Sequence, residues 1–280
     1  MLPPEVEGRV AAIAADIESG ASELSLRALE SFEALLPATP SADTLRELAA
    51  KLEAAQPNMA SVRNVAHMCA RLVAGSSDAA LALREVRREL SGAHEKIARN
   101  AVKLISGKAT IVTLSRSLAV VSTLKLLHSR RMLATVFVLE SLPGREGRRA
   151  ASQLSASGIS TQLAPDTQAA NVVRRCDLVL TGADTVLLDG TLVNKAGTRD
   201  LALAASVAGK PFYAACETLK IDSVRTAETF SPIAVRPADA LPGDRRGHVL
   251  FDLTPPKLVK SFITDRGVFV PQDIARVWAL

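Results

Sequence analysis

Apolar residues recur every three or four positions from the start of the chain to about residue 105, a spacing that predicts helices throughout. In "VEGRVAAIAADIES" the recurring positions are Val10, Ile13 and Ile17. Beyond Gly20, "SELSLRALESFEALL" sets Leu26, Leu29, Phe32 and the Leu35-Leu36 pair on another stripe. "PATPSADTLRELAAKLEAAQP" opens as a proline-containing loop and offers Ser41 or Asp43 as N-cap. "MASVRNVAHMCARLVAGSS" and "AALALREVRRELSGAHEKIARNAVKLI" continue the period. No internal repeat or low-complexity tract interrupts it. Residues 1–105 are therefore expected to form an all-helical domain with solvated charged faces.

The period changes near Gly107. "ATIVTLS", "ATVFVLE", "ISTQLA", "DLVLTGA" and "PFYAACE" are short apolar runs, several rich in β-branched residues, and read as strands. Helical segments separate them at 118–128, 148–157, 170–176 and 199–209. Alternating strand and helix implies a parallel sheet with right-handed crossovers, so 106–280 is an α/β domain. A late strand, "HVLFDLT", and an ending helix after Pro255 would complete it.

Composition narrows the partners. Aromatics are only 3% of the residues, which argues against a stacking platform for single-stranded nucleic acid. The net charge of +5 favours anionic partners, and its basic pairs (Arg130-Arg131, Arg148-Arg149, Arg174-Arg175, Arg245-Arg246) are scattered as on a solvated surface. Cys69, Cys176 and Cys216 have neither metal-site nor disulfide spacing and suit a reducing compartment. The opening "MLPPEVEGRV" has no signal-peptide character, and no apolar run spans a membrane; a soluble, cytoplasmic protein is expected.

In parallel sheets ligands sit beyond the carboxyl ends of the strands. That rule singles out 113–117, Glu140-Ser141, 182–184 and Glu217-Thr218. Asp184 follows two small residues, Gly182 and Ala183, and either moves a proton from a partly buried carboxyl or caps a turn. Asp189-Gly190, between "TVLL" and "TLVN", signals a two-residue hairpin. The hairpin delivers Asn194 and Lys195 to a helix start at Gly197-Thr198, where free N–H groups and the lysine would welcome a phosphate or carboxylate. In "TLSRS", Arg116 and Ser117 form a polar helix start, with phosphate binding or plain capping as the two roles of Ser117. The serine-hydrolase elbow, the dinucleotide fingerprint and the phosphate-loop motif are absent. His67 and His94 lie on helical segments, as surface or core residues rather than metal ligands.

"GADTVLLDGTLVNKAGT", "GKPFYAACETLKI" and "FDLTPPKLVKSFITDRGVFVP" together resemble one family. It holds the alpha, beta and delta subunits of eukaryotic translation initiation factor 2B, with the isomerases of methylthioribose 1-phosphate and ribose 1,5-bisphosphate. "VLESLPGREGRR" and "AQPNMASVRNVAHMC" are similar to its earlier segments. The resemblance implies a helical domain followed by a Rossmann-like domain with a mostly parallel sheet, dimerised through the latter. For the isomerases it implies opening of an aldose 1-phosphate and proton transfer between C2 and C1 by a cysteine and an aspartate, with no metal or organic cofactor. The aspartate maps onto Asp184 and the substrate-contacting pair onto Asn194 and Lys195.

Three positions depart from that pattern. The cysteine falls at Ser115 with Leu114 as its neighbour, and the two arginines fall at Leu142 and Gln56. A serine needs an activating partner to act as a base, and arginines are the donors best suited to phosphate. Arg63 or Arg116 would have to replace that charge, and Cys216 is either a displaced thiol or a core residue. The expectation is a homodimeric binder of a phosphorylated small molecule, a sugar phosphate or nucleotide, at Asp184, Ser115, Asn194, Lys195, Gly197, Thr198, Arg116, Ser117 and Arg63. The alternatives are an active aldose–ketose isomerase using Asp184 and a non-catalytic regulatory subunit with a protein partner.

Overall fold

In the computed structural model, which describes residues 2–16, 19–231, 234–235 and 248–277, the N-terminal sequence folds as five helices. These are α1 (Pro4–Ala15), α2 (Ala21–Leu35), α3 (Ala42–Ala55), α4 (Ala60–Gly75) and α5 (Ala79–Val102). Ile17 and the Arg245-Arg246 pair lie outside the described residues. Prolines sit at the first turn of α1, where their missing N–H costs nothing, and Ser41 Oγ caps α3 by accepting from Thr44 N at 3.2 Å. The apolar stripes meet in one core, with Val10, Ile13, Leu29, Phe32, Leu48, Leu52 and Val65 all buried. Cys69 belongs to that core, and burial pushes its thiol up to about 12, with Glu33 adding to the effect. The described chain divides into two compact units, up to Ala93 and from His94 onward, so the division falls inside α5.

The second unit is built on a seven-stranded sheet. Its strands are β1 (Ala109–Leu114), β2 (Leu133–Leu139), β3 (Thr161–Ala164), β4 (Leu178–Thr181), β7 (Phe212–Ala215), β11 (Ser261–Ile263) and β12 (Val268–Phe269). The order is β12-β11-β7-β4-β1-β2-β3, parallel throughout except for the β11–β12 edge pair. Alternate side chains supply two cores. Ile111, Val136, Val138, Tyr213 and Ala215 face α6 (Leu118–Ser129) and α7 (Glu146–Ala156), where Leu124, Leu127 and Leu154 are fully buried. Val112, Leu114, Phe137, Phe212 and Ala214 face α8 (Ala169–Arg174), α9 (Thr198–Val207) and α10 (Ile274–Val277). Each fully buried Leu, Val or Phe contributes about 1.5–3 kcal/mol, so both faces must be covered for the sheet to hold.

The late strand departs from the sequence reading. Phe251–Thr254 (β10) does not join the parallel sheet; it pairs antiparallel with β6 (Leu192–Lys195), which also pairs with β5 (Thr185–Val186). The physical reason is its pattern: Phe251 and Leu253 alternate with polar neighbours and pack on a small cluster of Leu187, Val193 and Phe230. One-sided burial suits an antiparallel ribbon, whereas a central parallel strand is apolar on both faces. "KSFIT" supplies β11 in its place, Pro255 is followed by a single 3₁₀ turn (Pro256–Leu258), and the ending helix is the short α10. A further pair, β8 (Ala234–Val235) with β9 (His248–Val249), is antiparallel.

The hairpin also differs in length. Pairing of Thr185 with Val193 and Val186 with Leu192 leaves Leu188, Asp189 and Gly190 as a three-residue loop. Gly190 takes φ +79°, and a side chain there would strike the Pro271 carbonyl at 2.7 Å. Asp189 Oδ1 accepts from Thr191 N at 3.0 Å, so this aspartate serves the turn.

Candidate functional site

The strand order reverses at β1. After β1 the chain builds outward through β2 and β3, then returns to the other side of β1 for β4, β7 and β11. Such a switch point opens a crevice at the carboxyl ends of the two central strands. Here those ends are Ser115–Ser117 and Gly182–Asp184. They approach closely because residue 182 is glycine: a Cβ there would lie 2.5 Å from Ser117 Cβ. Ser117 Oγ caps α6, accepting from Val120 N at 3.4 Å. Ser115 has φ +63° and its N–H donates to Ser141 Oγ at 2.6 Å. Ser141, at the end of β2, has φ +64°, and Asp166 accepts from its N–H and from that of Leu142. Two adjacent strand ends thus carry left-handed serines, a conformation that non-glycine residues adopt only where surroundings enforce it.

Beside that opening stands a group of charges, largely buried. Asp184 leads from β4 toward the hairpin, its N–H bonded to Val193 O at 3.0 Å. Burial pushes its carboxyl up, Lys220 and Lys195 pull it back, and Glu217 and Glu146 push it up again. Lys195, the last residue of β6, is 7% exposed and donates to Glu146 Oε1 at 2.6 Å. Glu146 begins α7, and its carboxylate occupies space that a side chain at residue 144 would fill, since a Cβ on Gly144 would lie 2.3 Å from Oε1. Its Oε2 is buried with no hydrogen-bond partner. Lys220, 5% exposed, donates to Ala183 O at 2.8 Å and lies 3.0 Å from Glu217 Oε2. Burial opposes the charge on Lys220, yet the Glu217 and Asp184 carboxylates outweigh it and hold the ammonium above its ordinary value. Glu217 Oε1 in turn meets His94 Nε2 at 2.7 Å. Two ammoniums therefore face three carboxylates, one of which resists ionisation.

The start of α9 holds an anion of the chain's own. Asp252, on β10 opposite Asn194, accepts from Gly197 N at 2.8 Å and from Arg199 N at 3.1 Å. Burial lifts its carboxyl to about 6, against the lowering effect of those two backbone bonds. Gly197, at φ +97°, turns the chain into the helix against Leu114. Thr198 is fully buried, donating to Lys195 O at 2.6 Å and meeting Asn194 Nδ2 at 2.9 Å. The free N–H groups expected at this helix start are thus partly spent on Asp252, because the β10–β6 pairing brings a distant carboxylate over them.

Among the sequence candidates, Asp184 and Lys195 share one electrostatic cluster, and Ser117 packs against the loop that carries Asp184. Arg116 is half-buried beside Ser117, and Arg63 is half-buried on α4 in the first unit. Cys216 is fully buried in the core, where burial raises its thiol, so its side chain is a packing element and not a displaced nucleophile. Leu142, where the resemblance sets an arginine, is 48% exposed. Sequence reasoning missed Glu146 and Lys220. The only signal for them was position: "ETLK" follows the end of β7, and Glu146 lies in the "VLESLPGREGRR" segment.

The family model described as the initiation factor 2 subunit family matches residues 10–271. The chain belongs to that family. A protein of Pyrococcus abyssi named as translation initiation factor eIF-2B subunit 2-like is 33% identical, over 97% of this chain and 98% of its own. The methylthioribose-1-phosphate isomerase of Gemmatimonas aurantiaca is 30% identical, over 92% of this chain and 77% of its own. The crystal structure of the Pyrococcus horikoshii translation initiation factor eIF-2B superposes with a TM-score of 0.87 at 30% identity, covering 98% of this chain and all of that one. Family members with translational and with isomerase names thus share this fold of helical unit and mostly parallel sheet. No helix among the described residues is long and apolar enough to cross a membrane.

Proposed function

We propose that the chain binds a phosphorylated sugar, or a nucleotide, in the crevice at the ends of β1 and β4. Asp184 meets the ligand's hydroxyls and Lys195 its phosphate. The observation that carries this reading is the meeting, at a switch point, of a carboxyl that burial makes harder to ionise with two buried ammoniums. The Asp184 carboxyl hydrogen-bonds a sugar oxygen, and Lys195 turns from Glu146 to the phosphate. Isomerase chemistry by the family route lacks its second group. Ser115 stands in the place of the cysteine, and its hydroxyl has no hydrogen-bond partner among the described residues to activate it.

Thermal-shift titration with ribose 1,5-bisphosphate, methylthioribose 1-phosphate and nucleoside monophosphates tests this directly. At a hundredfold excess over Kd, a bound ligand stabilises by about 2.7 kcal/mol, and Lys195→Met should abolish the shift. No stabilisation by any of these compounds sinks the proposal. Conversion of aldose to ketose by wild type but not by Asp184→Asn would turn it into the isomerase reading.

The relatives named as initiation factors favour a second reading, a regulatory subunit that acts in the cytoplasm through a homodimer or a protein partner. Sedimentation and pull-down from the native cell test it. Recovery of a monomer with no stable partner would remove it.

A further inference from the structure

We propose that His94 is a positioning residue: through the carboxylate of Glu217 it holds Lys220 on the backbone of the loop that carries Asp184. The relay is three contacts long. His94 Nε2 meets Glu217 Oε1 at 2.7 Å, Glu217 Oε2 meets Lys220 Nζ at 3.0 Å, and Lys220 Nζ donates to Ala183 O at 2.8 Å. Glu217 and Lys220 are each 5% exposed, so water does little to replace a lost partner. The helix that supplies His94 is fastened a second time, by Asn100 Nδ2 on Thr264 O at 2.9 Å, just beyond β11. The C-terminal part of α5 is thereby tied to the carboxyl ends of β7 and β11.

The imidazole takes one oxygen of Glu217 and leaves the other for Lys220. With His94 removed, the Glu217 carboxylate loses a contact that orients it, and Lys220 Nζ shifts with it away from Ala183 O. The loop then loses the donor that fixes the residue before Asp184. A merely structural histidine would loosen the unit as a whole; a positioning residue loosens one loop.

Hydrogen exchange of the ligand-free protein separates the two. In His94→Ala, exchange in the segment containing Ala183 and Asp184 should quicken about tenfold, with segments of β1 and β2 unchanged. His94→Gln, whose amide can donate to the same carboxylate, should restore the wild-type rate. The part of the idea that bears on ligands rests on the proposed sugar-phosphate reading, so calorimetry with ribose 1,5-bisphosphate accompanies it, with about tenfold weaker binding expected in His94→Ala. Unchanged exchange at the loop, or a uniform rise everywhere, overturns the proposal. A local rise in a protein whose wild type fails to bind the bisphosphate supports the relay and defeats only the ligand reading.

Discussion

The Nζ of Lys195 stands 2.6 Å from Oε1 of Glu146, although 49 residues separate them in the chain. The strand that ends at Lys195 and the helix that starts at Glu146 belong to different parts of the fold. The ammonium proposed to meet a phosphate is therefore already paired within the chain itself, while the other oxygen of Glu146 is buried with no hydrogen-bond partner among the described residues.

Glu146→Gln removes that competition and keeps the shape of the side chain. Calorimetry with ribose 1,5-bisphosphate should show binding tighter by about tenfold, the scale of one charge-assisted hydrogen bond. Weaker binding would mean that Glu146 serves the ligand and does not compete with it.

Asp184 fixes the sign of a pH effect. Its carboxyl is raised in the folded state by burial, so folding favours the protonated form. Stability from this group is present at pH below its unfolded value of about 3.9 and is lost as pH rises through the raised folded value. Asp184→Asn should raise the melting midpoint at pH 7.5 by about 2–4 °C, as for a gain of about 1 kcal/mol. Anion binding should strengthen toward lower pH in the wild type more steeply than in the variant. Equal slopes would remove Asp184 from the site.

Asp252 titrates at about 6 over the first turn of α9. Between about 4 and 6 the folded chain binds this proton more tightly than the unfolded chain, so stability falls as pH rises across that window and is level above it. Asp252→Asn should flatten the fall in a series of thermal melts. Asp252→Ala, which loses the cap, should cost about 1–2 kcal/mol at pH 5.

Gly182→Ala would drive a methyl group into Ser117, whose Cβ and Oγ lie 2.5 and 2.7 Å from the position it would take. A loss of about 1–3 kcal/mol is expected in chemical denaturation. Ser117→Gly removes those two atoms at a capping cost of only a few tenths of a kcal/mol, so the double variant should recover most of the loss. Additive losses would show that the ends of β1 and β4 do not touch through this pair.

Cys69, Cys176 and Cys216 are all buried, and burial raises each thiol above its ordinary value. A disulfide reagent should leave the native protein untouched at neutral pH and titrate all three only after unfolding. Fast reaction of one native thiol would contradict the core assignment of Cys216 or its counterparts.

The helices and the five parallel strands from β1 to β7 were legible in the chain because each carries its own signal: a three-to-four stripe, or a short run apolar on both faces. The same signal made Phe251–Thr254 look like one more strand of that sheet, since local pattern does not name a strand's partner. Asp184 and Lys195 could be singled out because strand ends are marked in sequence, and the residue types there are chemical. Glu146, Lys220 and His94 were not, because each acquires its role from a contact made across tens of residues.

By itself, then, the sequence determined the elements, their alternation and the two charges at the strand ends, all set by spacing of a few residues. Tertiary structure alone decided which charges face one another, that Asp252 occupies the start of α9, and that no base stands beside Ser115 among the described residues. Burial and pairing are properties of surroundings, and those surroundings come from β2, α7, β7 and β10 at once.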